Sequence, residues 1–253
     1  MGPDPRGVVD ALADWARATD WVEWVELGGS LGRGAGDALS DVDAGIGVTS
    51  LADGDPRIGE ALRAATGFAP TAATLEQALG DLTHLICVYR DGRQLSLVVF
   101  DAAARAGLAP QSTAVVDKHG RLAAPLDPGR WTPDAGTRRE WAFLAWIALG
   151  DAARHRLRDH PWRALHALTD ARDHLWKLHA ADLGLTYPGF GAVTAENADA
   201  PPPPGIERTH PKDLSRNEIR AAIDALADLL DPHTGPGLHD LAAAVRPRIA
   251  LLH

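Results

Sequence analysis

Cysteine is nearly absent from this 253-residue chain: Cys87 stands alone, so neither an intrachain disulfide nor a cysteine-based metal cluster can form. A reducing, cytoplasmic setting is expected. No uncharged apolar run is long enough to cross a bilayer. The opening MGPDPRGVVDALADWARATD also lacks a basic stretch followed by an apolar one, so no secretory leader is expected. Lysine occurs only at Lys118, Lys177 and Lys212, and acidic residues outnumber basic ones 34 to 25, for a formal net charge of −9. Nucleic-acid surfaces need clustered Lys and Arg to displace counterions, so no nucleic-acid partner is expected, and no membrane partner either. A small cationic substrate suits the balance better, although excess acid also serves solubility alone. Plentiful Ala, Gly, Arg and Pro beside scarce Lys is a compositional bias without functional content.

The length allows one large domain or two modest ones, and the patterning favours two, 1–130 and 131–253. In the first, apolar residues at helical spacing from Val8 to Ala18 precede a strand from Trp21 to Leu27 that mixes Trp and Val with Glu. A second strand runs from Asp41 to Val48, followed by a loop around Asp53-Gly54-Asp55-Pro56 and a helix from Arg57 to Ala65. Leu82 to Tyr89 and Gln94 to Phe100 flank Asp91-Gly92, a two-residue hairpin signal that pairs Arg90 with Arg93 and Cys87 with Ser96. From about Thr132 onward helical periodicity takes over. Arg138 to Arg158 carries Trp141, Leu144, Ala145 and Ala148 on one face, and Trp162 to Ala181 carries Leu165, Leu168, Leu175 and Leu178. A stiff loop, Ala200 to Gly205, precedes helices from Ser215 to Leu230 and from Leu238 to Leu252. The expected class is α+β: a mixed sheet with helices, then a helical bundle.

The chemistry concentrates in Leu27 to Val48, LGGSLGRGAGDALSDVDAGIGV. Alternate side chains share a strand face, so Asp41 and Asp43 point the same way, about 6 to 7 Å apart, while Val42, Ala44, Ile46 and Val48 face a core. Two adjacent carboxylates repel unless a cation sits between them, and hard divalent ions such as Mg²⁺ take oxygen ligands together with substrate phosphates. Gly28-Gly29-Ser30 lets backbone N–H groups approach a phosphate, Ser30 adds a hydroxyl, and Arg33, on a short following helix, adds positive charge.

An apolar strand, Gly29-Ser30, about ten residues and then Asp41-x-Asp43 in a second strand together resemble the signature of the DNA polymerase β-type nucleotidyltransferase superfamily. The resemblance extends more weakly over the first half of the chain to the small-molecule branch, which adenylylates aminoglycosides and lincosamides. The order of mixed domain and helical bundle is also similar to kanamycin-type enzymes. The resemblance implies a metal-dependent transferase that moves a nucleoside monophosphate from a triphosphate, ATP being expected, to a hydroxyl of a small molecule such as an antibiotic. Asp41 and Asp43 would then be catalytic residues and Mg²⁺ ligands, and Gly29, Ser30 and Arg33 would bind the nucleotide. The resemblance also implies a third metal-binding carboxylate where this chain has Ser96. Asp101, five residues on, falls on the opposite face by strand parity and would need a bulge to substitute. The alternative reading is therefore a catalytically weakened protein that binds a nucleotide, metabolite or protein partner, in an antitoxin-like role. A general base from the helical half is implied, with Glu140, Asp151, Asp170 and Asp173 as candidates. His160, His166, His174 and His179 read better as surface or hydrogen-bonding residues than as zinc ligands, and Trp141, Trp146, Trp162 and Trp176 as packing residues. A homodimer is compatible with the sequence; the acceptor, the base and the oligomeric state are not fixed by it.

Overall fold

The computed structural model describes residues 4–52, 54–80, 82–105 and 107–252; Asp53, in the loop expected before the 57–65 helix, lies outside them. The chain divides into two compact units, 1–127 and 128–253. Among the described residues no helix is long and apolar enough to cross a membrane.

The first unit runs α1 (Arg6–Ala18), β1 (Val22–Leu27), α2 (Gly29–Gly32), β2 (Val42–Val48), α3 (Pro56–Gly67), β3 (Thr71–Leu79), β4 (Leu82–Tyr89), β5 (Gln94–Asp101) and β6 (Thr113–Asp117). The strands form one sheet in the order β3-β4-β5-β2-β1-β6, in which β2 and β5 are parallel and the other neighbours antiparallel. This is the mixed sheet of the expected α+β class. One face is a continuous apolar layer: Val42, Ala44, Ile46 and Val48 of β2 join Leu85 and Cys87 of β4, Leu95, Leu97 and Val99 of β5, and Val8, Leu12, Ile58 and Ala61 of α1 and α3. Each buried Val, Leu or Ile among them contributes about 1.5–3 kcal/mol. Cys87 lies in this layer, where burial pushes its thiol pKa up and leaves it unreactive.

The opposite face of β2 is stripped of side chains next to β1. A Cβ at Gly47 would lie 2.1 Å from the Trp24 ring, and one at Gly45 would lie 3.0 Å from Phe100, so glycine is what lets these rings settle on the sheet. Arg105 stacks over Trp24 and Phe100, 5.4 and 5.1 Å from the ring centres, and its guanidinium forks onto Glu26. Glu23 accepts from Nε of Arg121 and from the Thr49 hydroxyl, the latter at 3.0 Å. Every residue of β1 is thus buried, its two glutamates included, because the strand lies inside the sheet and arginines close over the carboxylates.

Two expectations need correction. The β4–β5 connection is a three-residue loop, Arg90-Asp91-Gly92, closed by the Tyr89 N–H donating to the Arg93 carbonyl at 2.9 Å, with Gly92 at φ +89°. The odd loop shifts the register by one residue, so Ser96 pairs with Ile86 and Cys87 with Leu95. A slip of one exchanges faces, which puts His84 on the Ser96 side of the sheet. Second, two strands carried no sequence signal: β3, whose Ala, Leu, Glu and Gln favour helix and which lies exposed at the sheet edge, and β6, five residues long.

The second unit is helical: α4 (Ala135–Leu157), α5 (Pro161–Asp182), α6 (Ala192–Asn197), α7 (Arg216–Leu230) and α8 (His239–Ala250). α4 and α5 meet through Ala142, Ala145, Ala152, Ala153, Ala164 and Ala171, small residues that permit close approach, and Leu168, Leu175 and Leu178 extend the core. The buried side of α4 therefore differs from the expected one: Leu144 is exposed, whereas Trp146 and Leu149 are buried because α7 and α8 pack on α4 as well. Buried Arg172 donates to the Thr209 hydroxyl at 2.9 Å and to its carbonyl at 2.7 Å, fixing the segment after the proline run.

Candidate active site

The residues between β1 and β2 form a tight turn built around glycine. The Gly28 N–H donates to the Asp43 carbonyl at 2.9 Å, Gly29 has φ +55°, and α2 is a single turn whose C-terminal Gly32 carbonyl accepts from the Thr113 hydroxyl at 2.8 Å. A Cβ at Gly29 would lie 2.2 Å from Oδ2 of Asp43, so the turn passes directly over this carboxylate. Ser30 follows at the start of α2, where N–H groups have no intrahelical partners, and Arg33 caps its end.

Asp43 is the one residue of β2 that solvent reaches, and Asp41 stands exposed just before the strand. Although Asp43 is accessible, its carboxyl is crowded by the turn and the neighbouring strand. That desolvation, and secondly the negative charge of Asp41, push its pKa above the ordinary carboxylate value. Three neighbours act the other way: the Ser96 hydroxyl on the register partner across β5, and more weakly His84 and Arg33. Gly29, Arg33, Asp41 and Asp43 thus come together in space, with Ser96 in the third position on the same face.

His84 was not singled out by the sequence. Its Nε2 lies 2.8 Å from the Ser96 hydroxyl, and its Nδ1 lies 2.9 Å from Nε2 of Gln77, its register partner on β3. Only the register could have found it, since a polar residue in an apolar strand gives no hint of which face it takes. Asp101 does not join this group: it pairs with Val48, and its carboxylate accepts the Ala103 N–H at 2.8 Å.

The chain is similar to several solved structures, two of which illustrate the level of likeness. One is an aminoglycoside 6-adenyltransferase from Bacillus subtilis, at 12% identity and a TM-score of 0.39, covering 99% of this chain and 98% of that one. The other is a nucleotidyltransferase-like protein from Exiguobacterium sibiricum 255-15, at 14% identity and a TM-score of 0.43, covering 96% and 80%. No protein-family model and no curated protein matches the chain. Likenesses at this level carry no weight for activity, which has to be argued from the residues.

The oxygen-only donors suit a hard divalent cation such as Mg²⁺. Among the described residues no group of three His, Cys, Asp or Glu side chains is placed to hold a metal, in keeping with a serine in the third position. In the helical unit, Asp151, Asp170 and Asp173 line a groove of about 400 Å³ with His174 and Lys177. Within it Asp151 pairs with Arg154 at 3.0 Å, and Asp170 lies 3.7 Å from His166. His179 bonds the Pro201 carbonyl at 2.8 Å, and the Trp146 indole donates to the Thr234 hydroxyl at 2.8 Å.

Proposed function

We propose that this chain is a metal-dependent nucleotidyltransferase that moves a nucleoside monophosphate from a triphosphate, ATP in the first instance, to a hydroxyl of a small molecule of the antibiotic type. The single observation that carries this reading is the arrangement around Asp43: a left-handed glycine whose missing Cβ makes room for a carboxylate coupled to a second one, with a hydroxyl and an arginine on the same turn. Folding gains nothing from that arrangement by itself, since the two negative charges repel. It is useful for holding cation-bound phosphates.

In the reaction the acceptor oxygen bonds to the α-phosphorus, the α–β anhydride bond breaks, pyrophosphate leaves and the acceptor proton passes to a base. When bound, a divalent cation supplies charge neutralisation for the phosphate oxygens. Asp41 and Asp43 would hold it. Ser30 and the N–H groups at the start of α2 would receive the leaving phosphates, and Arg33 would offset their charge.

The second reading, a weakened transferase that binds a nucleotide or a protein partner, is favoured by one observation: the strand position beside Asp43 holds a neutral hydroxyl, Ser96, in place of a carboxylate. Calorimetry with nucleoside triphosphates, with and without Mg²⁺, on wild type, Asp41→Asn and Asp43→Asn separates the readings. Binding that requires Mg²⁺ and disappears in both variants supports the site. Such binding without turnover of any hydroxylated acceptor favours the second reading, and no triphosphate binding at all removes the first.

A further inference from the structure

The helical unit carries a groove that the chemistry on β2 does not use. It is lined by the ends of two short 3-10 turns, Pro128–Trp131 and Pro188–Phe190, and by the first turns of α4, and has a volume of about 450 Å³. Its walls are aromatic. The Tyr187 ring meets Trp131 at 5.1 Å between centres and Phe190 at 6.2 Å, with planes inclined by 66° and 61°, and Trp141, which also packs against the bundle core, lines the same space. Tyr187 is held there at a conformational cost: its backbone is left-handed, φ +62°, which a residue with a Cβ rarely adopts, and the Thr194 hydroxyl fixes it by donating to its carbonyl at 2.6 Å. Phe190 nevertheless stays 68% exposed. Single exposed apolar residues are ordinary, whereas rings gathered around one open groove mark a binding surface.

Charge narrows the occupant. Arg130 is the only charged residue lining the groove, and among the described residues its guanidinium has no ion pair or hydrogen bond. Nearby Asp134 is committed to α4, where it accepts the Thr137 N–H at 2.7 Å. A cation would be drawn to the ring faces but repelled by Arg130. A carboxylate instead meets a fork of donors that matches it, and a planar ring can stack or sit edge-on against walls already inclined to each other. We propose that this groove is a binding site for a small aryl carboxylate of one or two fused rings, its ring among Trp131, Tyr187 and Phe190 and its carboxylate on Arg130. The volume falls within the range of small-molecule pockets. A purine nucleotide also joins a planar ring to an anion, but its phosphate carries close to two charges against a single guanidinium. The lining residues all belong to the helical unit, so this assignment is independent of the cation site on β2.

Calorimetry on the full-length protein near neutral pH tests it with three probes of similar size: 2-naphthoate, the saturated decahydro-2-naphthoate, which keeps the charge and loses the plane, and 2-naphthylmethanol, which keeps the plane and loses the charge. 2-Naphthoate should bind about 10-fold more tightly than either. Two variants should each erase one preference: Arg130→Gln that for acid over alcohol, and Phe190→Leu, which keeps apolar volume, most of that for planar over saturated acid. Both residues are exposed, so neither change should alter thermal unfolding appreciably. Trp162→Leu, which removes a 73% exposed ring outside the groove, is the control and should leave binding unchanged. The wild-type comparison decides even where a variant fails to fold. Equal affinity for the three probes, no saturable binding of 2-naphthoate at roughly millimolar concentration, or binding that ignores both substitutions overturns the assignment. Loss of both preferences together in either variant also overturns it, since a merely structural role would act that way. AMP binding more tightly than 2-naphthoate would overturn the aryl acid in favour of a nucleotide.

Discussion

Strands β1 and β2 lie side by side, β1 carrying two glutamates and β2 carrying Asp43 with Asp41 just before it, yet the carboxylates are treated in opposite ways. On β1 each glutamate is closed by an arginine, Glu26 by Arg105 and Glu23 by Arg121, and the Arg121 contact holds the Glu23 carboxyl below its usual range. On β2, Asp43 is pushed the other way, by desolvation and by Asp41. The β1 glutamates are neutralised inside the fold, whereas Asp41 and Asp43 stay reachable and repel each other. The shifts of Glu23 and Asp43 have opposite signs, which residue type alone does not foretell.

The β1 side of the comparison is the most fragile. Arg105→Ala should cost about 3–5 kcal/mol, because it leaves buried Glu26 without its counter-charge and uncovers Trp24 and Phe100. Denaturant unfolding would measure it. A double variant, Glu26→Gln with Arg105→Met, should recover a good part of the loss, since the neutral pair avoids the desolvation penalty. A loss below about 1 kcal/mol for Arg105→Ala would mean that this ion pair is not what closes the face.

This contrast was only half legible in the sequence. Asp41 and Asp43 could be assigned to one strand face because Val42, Ala44, Ile46 and Val48 alternate with them, and the glycine turn before them carries its own signature. The burial of Glu23 and Glu26 could not, because their arginines come from positions 121 and 105, brought near only by the closed fold. His84 was hidden for a different reason: Asp91-Gly92 signals a two-residue turn as readily as the three-residue one that forms, and the choice decides which side of the sheet His84 takes. Strand β3 was missed because its composition favours helix and its pairing with β4 overrides that preference.

The glycine turn offers the next test. Gly29→Ala should cost about 1–3 kcal/mol for its left-handed backbone, and it should displace the Asp43 carboxylate and abolish cation-dependent triphosphate binding. Gly34 is the internal control, with φ +75° and nothing near its missing Cβ. Gly34→Ala should cost about 1 kcal/mol and leave binding largely intact. Equal effects of the two substitutions on binding would mean that the contact between Gly29 and Asp43 is incidental.

The smallest effect is the most discriminating. The folded-state pKa of Asp43 lies above its unfolded value, so its ionised form costs stability; the cost is absent below the unfolded pKa, about 3.9, and grows as pH rises through the folded one. In metal-free protein, Asp43→Asn should therefore be as stable as wild type or slightly more so at pH 7. The gain should stay under about 1 kcal/mol because the residue is exposed, and it should vanish near pH 3. Glu23→Gln should show the opposite dependence, losing stability at neutral pH and much less in acid, since a lowered carboxyl pKa stabilises the fold only while the group is ionised. Thermal unfolding of both variants across this range gives two curves that diverge from a common acid limit. If Asp43→Asn instead loses stability at pH 7, then Asp43 belongs with the structural carboxylates of β1, and the case for a phosphate-holding site on β2 loses its physical basis.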